Sequence, residues 1–271
     1  MTSSFSVEWR KEKLIGSIDY PENFKPQYTY PLIIICHGFI GTRIGMNRLF
    51  VKASQELIQD GNVVIRFDYA GCGESSGNYG DIGLTGLIEQ THAIIQFAMG
   101  LTFVDKEQIT LLGHSLGGAT SVLTAINEKQ IKNLILWSAV GQPFNDIEQI
   151  ISKKKVEQLE TRERIEYLGY YFSSPYFETL KRYKPINEIE AFKGDVLLIH
   201  GTADDDIPVT YCAAYEQSLM QRGLGTVKRK EIEGADHIYS NGPHFKELIQ
   251  ATRKWLCRGQ FEGQIYERKI L

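Results

Sequence analysis

Gly113-His114-Ser115-Leu116-Gly117 follows the strand-like run Ile109-Thr110-Leu111-Leu112 and opens a helical pattern over 116–129. A strand that passes through a strained turn into a helix is the setting in which G-x-S-x-G raises a serine above a sheet. The flanking Gly117, Gly118 and Ala119 suit it, because such a turn brings backbone segments close together. The pattern alone is weak, since Gly73-Glu74-Ser75-Ser76-Gly77 satisfies it too. Ser75, however, stands eight residues beyond its strand and leads into the turn-rich Gly77-Asn78-Tyr79-Gly80. Context selects Ser115 as the candidate nucleophile and leaves Ser75 as a loop serine.

Outward from this element the same rhythm repeats. Apolar runs at 32–36, 63–67, 134–137 and 196–199 read as strands covered on both faces, because polar alternation is missing from them. Helical patterns at 47–60, 84–99, 208–221 and 244–256 fall between or after them. In one of these, Leu84, Leu87, Ile88, Thr91, Ile94, Ile95 and Ala98 keep the i, i+3, i+4 spacing of a buried face. Strand–helix alternation implies an α/β fold: a mostly parallel central sheet flanked by helices. Segments 5–9 and 13–20 read as antiparallel edge strands, and 227–232 as the last strand. The interval from Trp137 to Val196 is far longer than the dozen or so residues a crossover needs. Residues 142–191 are therefore expected to form an inserted lid with its own helices, and 1–141 with 192–271 the core. Ile147, Ile150, Ile151, Val156 and Leu159 suggest one amphipathic stretch within it. Its aromatic residues, Phe144, Tyr170, Phe172 and Tyr176 among them, are expected to line a substrate pocket.

Composition narrows the function classes. Thirty basic residues against 33 acidic ones leave a formal charge of −3, which argues against a nucleic-acid footprint. No apolar run approaches the ~20 residues that span a bilayer, so no membrane partner is expected. Residues 1–30 show no signal-peptide pattern. Cys36, Cys72, Cys212 and Cys257 lack metal-ligand spacing, and the expected setting is the cytoplasm with reduced thiols. No cofactor is implied: Gly71 and Gly73 follow a strand, but Ser76 breaks G-x-G-x-x-G.

A serine needs a base, and the base an acid that sets its tautomer. Of six histidines, His237 lies in Glu233-Gly234-Ala235-Asp236-His237, a loop after the last strand that overhangs the strand C-termini. His244 opens the final helix, His92 lies inside a helix, and His37, His114 and His200 read as turn-shaping residues. Asp204 stands in the tight loop His200-Gly201-Thr202-Ala203-Asp204-Asp205-Asp206, while Asp205 and Asp206 approach a helix N-terminus. Three adjacent aspartates point their side chains apart and have no second ligand group, so no metal site is expected. Ser115…Asp204…His237 is the order of residues in α/β-hydrolases. The oxyanion formed on attack requires preorganised N–H donors. The Leu116 amide, next to the nucleophile, and the Phe39 amide, in His37-Gly38-Phe39-Ile40-Gly41, are the candidates.

On these segments, together with Asp68-Tyr69-Ala70-Gly71-Cys72-Gly73-Glu74-Ser75, the chain resembles the serine α/β-hydrolases. Within them it is most similar to bacterial feruloyl (cinnamoyl) esterases. The resemblance implies Ser115, Asp204 and His237 as the triad, Phe39 and Leu116 as oxyanion donors, and the aromatic-rich insertion as a cover over the acyl pocket. It departs from that pattern at Ile40, where a small polar residue is common, and at Leu116, where several members carry glutamine. The expected activity is hydrolysis of small-molecule carboxylic esters through an acyl-enzyme, with feruloyl-type aryl esters as the finer expectation. A thioesterase or peptidase on the same triad, or a non-catalytic binding protein on this scaffold, are the alternatives. Residues 259–271 have three readings: frayed, packed on the core, or reaching a second subunit of a homodimer.

Overall fold

A computed structural model describes residues 1–258. Its strands are β1 (Thr2–Trp9), β2 (Glu12–Asp19), β3 (Tyr30–Cys36), β4 (Val63–Phe67), β5 (Val104–His114), β6 (Ile131–Trp137), β7 (Arg164–Tyr167), β8 (Tyr170–Ser173), β9 (Asp195–Gly201) and β10 (Val227–Ile232). Eight of them form one sheet in the order β1-β2-β4-β3-β5-β6-β9-β10, and β7 pairs with β8 apart from it. β1 and β2 pair antiparallel, as does β2 with β4; every later pairing in the large sheet is parallel. The helices are α1 (Leu49–Leu57), α2 (Gly83–Met99), α3 (Leu116–Ala125), α4 (Pro143–Ile151), α5 (Lys153–Val156), α6 (Ser174–Arg182), α7 (Pro185–Glu188), α8 (Thr210–Met220) and α9 (Gly242–Leu256).

The period-two alternation of a strand places β3 in two cores at once. Leu32, Ile34 and Cys36 join the layer built with α2, α3 and α8, whereas Ile33 and Ile35 join the layer built with α1 and α9. This double covering is why the parallel strands read as unbroken apolar runs. Helix α3 stops at Ala125, short of the expected 129. Its end tightens into a shorter turn, with Asn127 N donating to Thr124 O, because β6 begins at Ile131.

The segment between β6 and β9 departs most from expectation. The amphipathic stretch is broken into two helices, α4 and α5, divided at Ser152 (φ 95°, ψ 123°), and a 3-10 turn, Glu157–Glu160, that holds Leu159. A β-hairpin follows. Its turn places Leu168 (φ 49°) and Gly169 (φ 81°) in left-handed conformations. Two-residue hairpin turns require positive φ and are signalled by Asn-Gly or Asp-Gly; leucine at the first position hid this one. Ile147, Ile151, Phe172, Tyr176, Phe177 and Leu180 are buried in the α2–α3–α8 layer. Thr179 Oγ1 also accepts from Leu84 N (2.8 Å), so α6 satisfies an unpaired amide at the start of α2. All four cysteines are free. No helix among the described residues is long and apolar enough to cross a membrane. The readings of 259–271 lie outside the described residues.

Candidate active site

β5 runs directly into α3, and Ser115 forms the joint with φ 58° and ψ −127°. This conformation is strained for a residue with a Cβ. It is held by Ser115 N donating to Trp137 O (3.0 Å) and by Gly118 N and Val140 N donating to Ser115 O (2.9 and 3.1 Å). The glycines of the motif have a steric reason. A Cβ on Gly117 would stand 2.1 Å from Cys36 O, and one on Gly113 2.3 Å from Gly117 O. Helix α3 can therefore press its first turn onto the end of β3. The rival Ser75 is committed elsewhere: its Oγ donates to Asp68 O (2.7 Å) and accepts from Ile15 N (2.8 Å), which ties its loop to β2.

The loops after β9 and β10 bring Asp204 and His237 together. His237 Nδ1 donates to Asp204 Oδ2 at 2.8 Å. An ionised carboxylate only accepts, so the proton sits on Nδ1 and Nε2 of the neutral ring keeps its lone pair. The carboxylate holds further donors, Asp206 N and Ile207 N at 3.0 and 2.8 Å on Oδ1, and His200 Nε2 stands 3.0 Å from both Oδ2 and the Ile207 carbonyl, to which it donates. Burial alone would raise the Asp204 carboxyl. His200 at hydrogen-bond distance, the hydrogen bond and charge of His237 and the Ile207 amide outweigh it and hold the acid well below the usual carboxylate range. Ser115 and His237 face one cleft of about 230 Å³, and among the described residues no hydrogen bond joins them.

Phe39 lines the cleft that Ser115 faces, and Leu116 is the first residue of α3. Neither amide donates to a protein acceptor among the described residues. The lining expectation needs correction. Phe144 and Tyr170 line other depressions, and Phe172 and Tyr176 are buried in the core. From the inserted segment it is Ile150 and Tyr167 that reach the cleft. Phe172, Tyr176 and Tyr167 surround the Phe39 ring, with centroids 5.5, 6.4 and 6.2 Å away, so the first two act behind the cleft wall. Much of the lining comes from 38–50, including Ile40, Met46, Leu49 and Phe50, a stretch read beforehand for its oxyanion donor and the start of a helix but not as a cleft wall.

His37, His114 and His200 do more than shape turns. Each is buried and bonded around the site: His114 Nε2 donates to His237 O (2.8 Å), and His200 donates to Ile207 O beside Asp204. The signal available in the sequence was their common place at strand C-termini. Burial pushes His37 down to about 4, and burial with the neighbouring His237 pushes His114 down to about 3. The unfolded chain therefore binds protons at both positions from about pH 6.5 downward while the folded chain does not. Stability from these groups is complete above that pH and drains as pH falls toward 4 and 3. Urea titrations at pH 7 and pH 5.5 are expected to differ by on the order of 2 kcal/mol, the acid sample being weaker. Equal unfolding free energies would contradict neutral burial.

An eight-stranded, mostly parallel sheet with a strained serine between strand and helix defines this chain as a member of the serine α/β-hydrolase superfamily. Residues 50–260 match the family model for the prolyl oligopeptidase family, peptidase family S9, and the chain belongs to that family. An uncharacterized 31.7 kDa protein of Escherichia coli is 35% identical over 106 residues, 39% of this chain and 36% of that protein. The chain thus spans about a third of that relative's length. An uncharacterized Mycobacterium tuberculosis protein is 28% identical over 237 residues, 86% of this chain and 72% of its own length. Among solved structures, Est1E from Butyrivibrio proteoclasticus with ferulic acid bound superposes with a TM-score of 0.81 at 23% identity. That match covers 96% of this chain and 100% of that one, and it is a likeness of fold.

Proposed function

We propose that this hydrolase cleaves carboxylic esters through an acyl-enzyme on Ser115. The observation that carries the reading is the Asp204–His237 hydrogen bond beside a strained serine in the same cleft. His237 Nε2 takes the Ser115 proton while Oγ bonds to the carbonyl carbon, and the carbonyl electron pair moves onto oxygen. The Phe39 and Leu116 amides donate to that oxyanion. Collapse breaks the bond to the leaving alkoxide, which takes the proton from His237. Water then gives a proton to His237, attacks the acyl carbon and frees the acid, and Ser115 recovers its proton. The serine–histidine contact tightens with substrate bound, as in other hydrolases whose resting contacts are loose.

The cleft is walled largely by apolar side chains, among them Phe39, Ile40, Met46, Leu49, Phe50, Ile150, Tyr167 and Ile238, which favours aryl or short alkyl esters. Aryl esters of the feruloyl type are the finer proposal, supported by the fold shared with Est1E. Residues 142–191 act as a cap that supplies Ile150 and Tyr167. The family match favours a second reading, a peptidase on the same three residues. Four substrates separate these: p-nitrophenyl acetate, methyl ferulate, a phenyl thioester and a prolyl p-nitroanilide. Turnover of the esters, with a fluorophosphonate probe labelling Ser115, is the expected result. Preference for the anilide moves the assignment to the peptidase. No labelling and no turnover would leave a binding protein.

A further inference from the structure

The peptide between Gly38 and Phe39 is held from behind. Its carbonyl oxygen accepts from His37 Nδ1 at 2.9 Å and from Gly41 N at 3.1 Å. On the other side of the ring, His37 Nε2 accepts from Tyr69 N at 3.1 Å, in the loop just beyond β4. A backbone N–H can only donate, so Nε2 is unprotonated and Nδ1 carries the proton. The ring is neutral and locked in one tautomer between two loops. It is 1% exposed and packs edge-to-face on Tyr69, with centroids 4.7 Å apart.

In a trans peptide the C=O and N–H point in opposite directions. Holding the Gly38 carbonyl toward His37 and Gly41 therefore turns the Phe39 N–H away from them, toward the cleft that Gly38, Phe39 and Ser115 share. The approach on that side is close: a Cβ on Gly38 would meet Ser115 Cβ at 2.9 Å and Oγ at 3.3 Å. We propose that His37 is a positioning residue that aims the Phe39 amide at the oxyanion through its Nδ1–H bond to Gly38; this rests on the acyl-transfer reading of Ser115. The bond to Tyr69 instead joins two loops and would serve the fold alone. Asparagine places its amide nitrogen near the position of Nδ1, and glutamine places its end group near that of Nε2. The two substitutions therefore divide the two contacts.

The test compares wild type with His37→Asn, His37→Gln and His37→Leu. The measurements are kcat and KM for p-nitrophenyl acetate, the inhibition constant of an aryl trifluoromethyl ketone that forms a tetrahedral adduct with serine, and a thermal melt. His37→Leu is expected to lose about 100-fold in kcat, the scale of a lost oxyanion donor, with little change in KM. Ketone affinity should fall by the same factor as kcat/KM, which loosened folding would not produce. His37→Asn should recover most of the loss and His37→Gln little of it. Should His37→Leu fail to fold, the order of the other two decides. Glutamine equal to or better than asparagine, or unchanged kcat and ketone affinity, overturns the assignment while the hydrolase reading stands. A wild-type protein that neither turns over ester nor is labelled at Ser115 overturns the hydrolase reading and this assignment with it.

Discussion

Ser115→Ala is expected to lower kcat for p-nitrophenyl acetate by about 10⁵- to 10⁶-fold, the scale of losing a hydrolase nucleophile. The methyl side chain keeps the Cβ and leaves the backbone bonds to Trp137, Gly118 and Val140 untouched. The thermal midpoint should therefore stay in place. Ser115→Gly should be equally inactive but behave differently on melting. At φ 58° and ψ −127° a residue with a Cβ is strained, and glycine relieves that strain by about 1 kcal/mol or more. One position thus separates chemistry from stability: two dead variants, one with an unchanged melt and one with a higher midpoint. Retained turnover in either, measured on protein free of contaminating esterase, would remove Ser115 from the mechanism. A glycine variant that melts lower would show that the strain is compensated locally.

For Asp204→Asn the expected loss in kcat is about 10⁴-fold. The hydrogen bonds say why an isosteric change should cost so much. Oδ1 accepts from the Asp206 and Ile207 amides, so the asparagine oxygen must stay on that side. Its NH₂ group then faces His237 Nδ1 and His200 Nε2, where the Nδ1–H already points inward. His237 can meet it only by moving its proton to Nε2, and in that tautomer it cannot take the proton of Ser115. Stability carries a second signature. The native carboxyl is held below its ordinary range, so its contribution is complete above that range and is lost as pH falls below it. Asp204→Asn removes this acid-side loss, and its stability should fall less steeply in acid than that of wild type. Activity within tenfold of wild type would show that Asp204 does not set the tautomer.

The parts of the fold that could be read beforehand were those with a local cause. β3, β4 and β9 announce themselves as apolar runs because helices cover both faces, and α2 announces itself through one buried stripe. The β7–β8 hairpin did not, because the first turn position, at positive φ, carries Leu168 where an asparagine or aspartate would have announced the turn. Aromatic content was a poor guide to the cleft for a related reason. Phe172 and Tyr176 satisfy the same hydrophobic drive by packing behind Phe39, and nothing in their spacing distinguishes a pocket wall from the layer beneath it. His200 and His114 were placed correctly at strand ends, yet their partners, Asp204 Oδ2 and the His237 carbonyl, depend on how three loops meet.

Chain order, hydrophobic period and turn chemistry were enough to establish an α/β sheet, a serine at its elbow, and an acid and a histidine on the loops that follow it. These are one-dimensional properties: each depends on a residue and its near neighbours. Which side chains wall the cleft, which of three further histidines supports which group, and which way the Gly38–Phe39 peptide faces were decided only when loops far apart in the chain were packed together. A hydrogen bond has direction and a reach of about 3 Å, and sequence separation carries neither.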